Sequence, residues 1–196
     1  QERPFTIKDV PNIDYPGKGS DIVSLLILGH QTQLHTLMAD LTIKTRRALH
    51  DQKIMDELLQ RDEPLSDSTR SRIKHAADKV LKCMFFIEEI DLPKIDMAGS
   101  VFSKNFTQRS PKDSQDRSLF ELQMDGRMLR YPFSYLIYSD TFNNLPPEAL
   151  NYIWAEIERI LAPTERREGY ERLSRRNKIT IKEILLETHP SPKKYW

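Results

Sequence analysis

The side chain best placed to do chemistry is His30, in the run Gly29-His30-Gln31-Thr32-Gln33-Leu34-His35. At 100° per residue, Val23, Leu26, Ile27, Leu34, Leu37 and Leu41 fall on one arc of a helix, and His30 sits at its centre. A polar ring in an apolar stripe needs a partner. That partner is a carbonyl or Tyr hydroxyl of the same domain, or it is a heme, a metal or a cofactor held by another segment. The spacing leaves both readings open.

His35 lies roughly 140° round the helix from His30, so the two rings converge poorly on one ion. This differs from the i, i+4 histidines of zinc helices, and a two-histidine metal site on this helix is rejected. Gln31 and His35 are i, i+4 neighbours. With Thr42 they form a polar edge suited to a second domain.

Other constellations carry less. Arg130 and Tyr131 precede Pro132, and Tyr135 and Tyr138 follow it. This cluster is either a binding platform or a Tyr-rich core region with its hydroxyls on backbone. Cys83, between Leu81 and Met84, reads as a small buried hydrophobe. Ser118, Ser134 and Ser139 lack a GxSxG elbow, and no Gly-rich phosphate loop is present. Glu88, Glu89 and Asp91 read as a solvated helix end. Nothing here makes a positive case for catalysis.

The elements that would position these residues are helices. Residues 1–19, with Pro4, Pro11, Pro16, Gly17 and Gly19, read as an extended lead-in or arm. Ser20 or Asp21 caps a helix of about 30 residues, roughly 45 Å long. Ile54, Met55, Leu58 and Leu59 carry its pattern on after a kink. Ser66 and the acidic turn at Asp67 open a second helix that buries Ile73, Ala76, Ala77, Val80, Leu81 and Met84. The two helices should pack as an antiparallel hairpin.

Ser100–Thr107 predicts a short helix burying Phe102 and Phe106. Residues 108–117 predict a loop. Asp125-Gly126 is a candidate hairpin turn, but its flanking runs are short for strands. Pro132 suits the first turn of a helix through Phe133, Leu136 and Ile137. Pro146-Pro147-Glu148 opens a helix with Ile153, Trp154, Ile157, Ile160 and Leu161 on one face. Ser174 or Asn177 starts the last helix, with Ile181, Ile184 and Leu185 inward.

The predicted fold is therefore all-α: an irregular helical bundle on a long central amphipathic helix, with long loops and an extended N-terminal arm. Residues 20–196 form one domain. Within it, 20–93 is a helical hairpin, 94–139 a loop-rich connection with short helices, and 140–196 the C-terminal helices. Val23, Leu26, Leu34, Leu37, Leu41, Trp154 and Ile157 are expected to be buried.

Composition sets the outer bounds. Lys plus Arg is 30 against 29 Asp plus Glu, a net charge of +1, which gives no basic footprint for nucleic acid. One cysteine excludes an internal disulfide or a CxxCH motif. The longest apolar run, residues 22–28, is far shorter than the roughly 20 residues of a membrane span. The sequence shows no signal-peptide pattern. It begins at Gln1, which predicts an upstream segment in the native polypeptide.

Several blocks resemble a known family. They are Ser20-Asp21-Ile22-Val23-Ser24-Leu25-Leu26 leading into His30-Gln31-Thr32-Gln33-Leu34-His35-Thr36, and Thr45-Arg46-Arg47-Ala48-Leu49-His50. Further along come Arg109-Ser110-Pro111-Lys112-Asp113, Arg127–Ser139, Phe142–Pro146 and Ile181–Leu185. Together, over about residues 18–190, they resemble the C-terminal half of a family of exported, mostly uncharacterised bacterial proteins seen in planctomycetes and acidobacteria. Members commonly carry an upstream c-type-cytochrome-like segment with a CxxCH heme-attachment motif. This chain departs at Phe133, where members often have Cys, and at Gly126, where they often have a charged residue.

The resemblance implies a heme-free, non-catalytic half of an exported, periplasmic or cell-surface protein. It would support electron transfer by packing against or ligating a heme c carried by a neighbouring segment or chain. His30 and then His35 are the candidate heme contacts, and Gln31, Arg130, Tyr131 and Tyr135 the candidate interaction residues. The partner would be the upstream cytochrome-like segment or another subunit. The alternative is a structural or interaction subunit of a larger envelope assembly with no redox role.

Overall fold

A computed structural model describes residues 22–61, 64–97, 100–108, 110–164 and 167–196. The expected lead-in at 1–19 and the caps Ser20 and Asp21 lie outside these residues. The architecture is a mainly helical, irregular bundle built on a long first helix, as expected. Its elements are α1 (Ile22–Leu59), α2 (Asp67–Met84), α3 (Val101–Gln108), β1 (Leu122–Asp125) and β2 (Arg127–Leu129). A 3-10 helix (Tyr135–Tyr138), α4 (Asp140–Asn143), α5 (Pro147–Leu161), α6 (Arg175–Thr188) and α7 (Pro192–Tyr195) follow.

The 38 residues of α1 span about 57 Å. The helix runs without a break through the stretch after Leu49 where a kink was expected. No Gly or Pro interrupts Asp51–Leu59, and i, i+4 pairing such as Lys53 with Glu57 continues along it. Val23, Ile27, Leu34, Met38, Leu41 and Ala48 are fully covered by α2 and the elements behind it. α2 starts as its sequence predicts, with the Ser66 hydroxyl accepting from the Thr69 N–H.

The hairpin is pinned at its turn by Gln52, whose side chain accepts from the Ser66 N–H (3.0 Å) and donates to the Pro64 carbonyl (3.2 Å). Arg72 adds an ion pair to Asp51 at 2.8 Å. Past that point α1 overhangs its partner, and Ile54, Met55, Leu58 and Leu59 are exposed.

α5 packs its Ile153, Trp154, Ile157 and Ile160 face on this hairpin, and α6 closes the far side with Ile181, Ile184 and Leu185. Serines cap α4 and α6. Ser139 accepts from Phe142 N–H and Ser174 from Asn177 N–H, each at 3.2 Å.

Three local expectations are corrected. The Asp125-Gly126 hairpin forms despite its short runs, pairing Leu122 with Leu129. Gly126 takes φ +70°, open to glycine at no steric cost. The Leu92 segment supplies the missing length, exchanging two backbone hydrogen bonds with Gly126 at 3.0 and 3.3 Å. The Pro132 helix begins later than expected. Pro132 and Phe133 stay outside, and Ser134 caps the 3-10 turn with its hydroxyl on the Leu136 N–H. Phe102 and Phe106, expected to be buried by α3, are only half-buried and stack on each other, centroids 5.5 Å apart.

Candidate functional site

His30 lies where the arc places it, on the inward face of α1 and 7% exposed. Its Nε2 is 2.7 Å from the Ser134 hydroxyl. Ser134 is fully buried and joins three elements. Its N–H donates to the Met84 carbonyl at the end of α2 (2.8 Å), its hydroxyl accepts from the Leu136 N–H (3.2 Å), and the same oxygen meets His30. Burial lowers the His30 pKa to about 4, so the ring is neutral at pH 7.

A serine hydroxyl on a histidine nitrogen is also the geometry of a nucleophile and its base. Here it cannot act as one. Ser134 is inaccessible to a substrate, and its hydroxyl is already a helix cap. The pair is a structural joint between α1, α2 and the 3-10 turn.

One face of the His30 ring stacks on Phe86, with centroids 4.4 Å apart and planes 26° from parallel. Phe86 follows α2 in an unusual way. The Ile87 N–H returns to the Lys82 carbonyl (3.1 Å) and the Phe86 N–H to the Cys83 carbonyl (3.2 Å), the double bond of a Schellman end. The residue at its turning point is normally Gly, and here it is Phe86 at φ 53°. A bulky side chain in the left-handed region is strained by about 1–3 kcal/mol. The stack against His30 offsets that strain, and the conformation aims the Phe86 ring back at α1.

This turn leaves part of the α1 stripe uncovered. Leu26 and Leu37, expected in the core, are only half-buried. The helical period says which face is apolar but not how far a neighbour reaches over it, and both residues lie at the margin of the contact with α2, in a wall that Lys79, Lys82 and Cys83 also line. The result is an open cleft of about 670 Å³ between α1 and the end of α2, with His30 and Phe86 in its wall. Leu25 (55% exposed) and Ile90 (77%) stand at its mouth. Lys79 and Lys82 form one rim, and Glu88 and Glu89 another. Gly29 borders it, and a Cβ built there meets no heavy atom within 4 Å.

Lys82 and Glu88 pair at 3.7 Å. The Glu89 carboxylate turns inward to accept from the Met128 N–H at 2.8 Å, and burial raises its pKa against that hydrogen bond. Cys83, expected to be buried, is half-buried in the cleft wall because the same uncovered stripe exposes it. Burial and the nearby Glu88 push its thiol up to about 11.

The other residues singled out by sequence divide into two places. Gln31 and Tyr135 join His30: Tyr135 tilts toward its ring at 6.1 Å. Burial raises the Tyr135 pKa, opposed by the nearby Gln31 side chain, although no hydrogen bond of good geometry closes on the hydroxyl. His35 faces outward on α1 with no hydrogen bond to the described residues.

Arg130 and Tyr131 lie elsewhere, on a polar cleft of about 810 Å³. There the Arg130 guanidinium pairs with Glu121 at 2.7 Å and covers the Tyr131 ring at 5.5 Å. Arg117 pairs with the buried Asp113 at 2.7 Å and Lys112 with Asp116 at 2.7 Å. The cleft therefore offers mostly neutralised charges.

Sequence reasoning missed Phe86, because a Phe at the turning point of a Schellman end has no signature. Among the described residues no group of three or more His, Cys, Asp or Glu is placed to hold a metal ion. No helix among them is long and apolar enough to cross a membrane. No protein-family model, curated protein or solved structure matches the chain.

Proposed function

We propose that this chain is a non-catalytic helical binding domain, an interaction subunit of a larger exported assembly. Its cleft beside His30 receives an apolar group brought by another segment, chain or molecule. The observation that carries this reading is the uncovered part of the α1 stripe. Leu26 and Leu37 continue a face that is otherwise fully buried, yet they open onto a cleft. Contiguous apolar surface of this kind marks binding sites. The exported setting rests on the family resemblance. Size-exclusion chromatography of the native assembly tests the reading. Leu25→Glu and Ile90→Glu together should release the chain as a folded monomer. Unchanged co-elution would refute the cleft as the contact.

A second reading follows from His30 lining the cleft. The group received would be a heme c held by the upstream cytochrome-like segment or another chain, and the domain would support electron transfer. The residues present suit packing against such a group better than ligating it. Bonding to iron through Nε2 requires the Ser134 hydrogen bond to break. When bound, the heme would supply one-electron chemistry. In the heme-bearing native protein, His30→Ala should leave the Soret band in place and shift the reduction potential if His30 only packs. A changed axial-ligand spectrum would make it a ligand. A spectrum and potential both unmoved would remove the redox reading.

A further inference from the structure

We propose that the cleft between α1 and the end of α2 binds a free long-chain carboxylate, its acyl chain along the apolar walls and its carboxylate at the Lys79–Lys82 rim. This rests on the reading of the cleft as a binding site and names what it takes.

The walls are mainly aliphatic. Leu25, Leu26, Leu37, Ile90, Leu92 and Met128 line them, side chains that repack around a flexible chain. The aromatic residue in the wall, Phe86, already gives one face to His30, which disfavours a large planar ligand. The volume of about 670 Å³ falls within the range of small-molecule sites.

The charge at the mouth is polarised. Lys79 has no side-chain partner among the described residues, and Lys82 holds Glu88 only loosely at 3.7 Å. Glu89 is turned into the fold by the Met128 N–H. One turn of α2 thus presents two ammonium groups above an apolar slot, against one exposed carboxylate, Glu88, that Lys82 already partners, a balance that favours an anionic over a cationic amphiphile. The concave form favours a dissolved molecule over a bilayer. Leu26 and Leu37 lie half-buried inside the slot, where lipid tails in a membrane do not reach them.

Titration calorimetry of the chain with dodecanoate and with dodecyltrimethylammonium tests this, with anilinonaphthalene sulfonate as a general probe of the cleft. Dodecanoate should bind one to one, and the cationic amphiphile should not saturate. Lys79→Glu with Lys82→Glu should weaken dodecanoate about tenfold, the scale of two exposed ion pairs. Gly29→Phe places a ring in open space at the cleft border and should abolish binding without harming the fold, as circular dichroism would verify.

Dodecanoate binding that survives Gly29→Phe, or equal affinity for the two amphiphiles, would overturn the proposal. Naphthalene-sulfonate binding that Gly29→Phe removes, with no dodecanoate binding, overturns the carboxylate and leaves the cleft reading standing. If neither probe binds, both fall. Co-sedimentation with phosphatidylglycerol vesicles without binding of monomeric dodecanoate would replace the free ligand by a membrane and overturn the proposal as stated.

Discussion

The Ser134 hydroxyl lies 2.7 Å from His30 Nε2 although 104 positions separate the two residues. That bond resolves the partner question raised by the His30 arc. A polar ring at the centre of an apolar stripe is met by a hydroxyl that also caps the 3-10 turn and is tethered to the end of α2. The tether joins the 3-10 turn to the last residue of α2, next to the Phe86 turn that ends that helix.

Removing the hydroxyl should expose its worth. Ser134→Ala leaves the buried His30 nitrogen unpaired and the 3-10 turn uncapped, a loss of about 1–3 kcal/mol. Urea denaturation should show a lower midpoint with an unchanged slope. A loss below about 0.5 kcal/mol would mean the bond is dispensable.

The same ring makes stability depend on pH. Unfolded, it takes up a proton near pH 6.5; folded, burial holds that back to about 4. Between these values the unfolded chain binds more protons, so stability is full above about pH 6.5 and falls as the solution is acidified toward 4. The His30 share is about 3 kcal/mol. His189, whose pKa burial also lowers against a hydrogen bond to the Ile137 carbonyl, acts in the same direction. Denaturation midpoints from about pH 7 down to 4.5 should drop, and His30→Gln should flatten the slope. An unflattened slope would assign the effect elsewhere.

Two leucines on one helix should respond differently to truncation. Leu34 is fully buried, so Leu34→Ala should cost about 2–5 kcal/mol. Leu37 is half-buried and lines the open cleft, so Leu37→Ala should cost less than half as much. Equal losses would indicate that the cleft is closed in solution.

Phe86 allows strain and stacking to be separated. Phe86→Ala removes the ring but keeps a Cβ at φ 53°. Phe86→Gly removes both and should be more stable than the Ala variant by about 1 kcal/mol. If Ala is the more stable, the left-handed turn is not strained.

Gly29 offers a gain. It occupies a helical position where a Cβ meets open space. Gly29→Ala should raise stability by up to about 1 kcal/mol, seen as a higher melting temperature. A lower one would reveal a close approach at that face.

The helices were legible because their signals are local. Ser66 and Ser174 act through bonds within three residues, Pro147 through its fixed φ, and the period of α1 names its buried face. The site was legible only in part. The arc placed His30 inward, but the expected partner was a carbonyl or a Tyr hydroxyl, and the hydroxyl that meets the ring belongs to Ser134, 104 positions away. Leu26 and Leu37 looked like core because period reports polarity and not cover. The left-handed turn at Phe86 had no signal, since its cause is a ring 56 positions away, counting from His30 to Phe86. The hairpin at Gly126 was underread for a similar reason, as the segment at Leu92 that completes it is remote in sequence.

The overhang of α1 means that one helix holds two regimes of backbone protection. Up to Gln52, opening an amide requires α2 to detach, so exchange with solvent deuterium should track global unfolding. Beyond Gln52, the turns through Leu59 rest on their own helix propensity and pairs such as Lys53 with Glu57. A short helical end without tertiary cover frays at little cost. Amides of Leu58 and Leu59 should therefore exchange orders of magnitude faster than those of Leu34 and Met38, and a protease admitted there would shorten the helix without unfolding the body behind it.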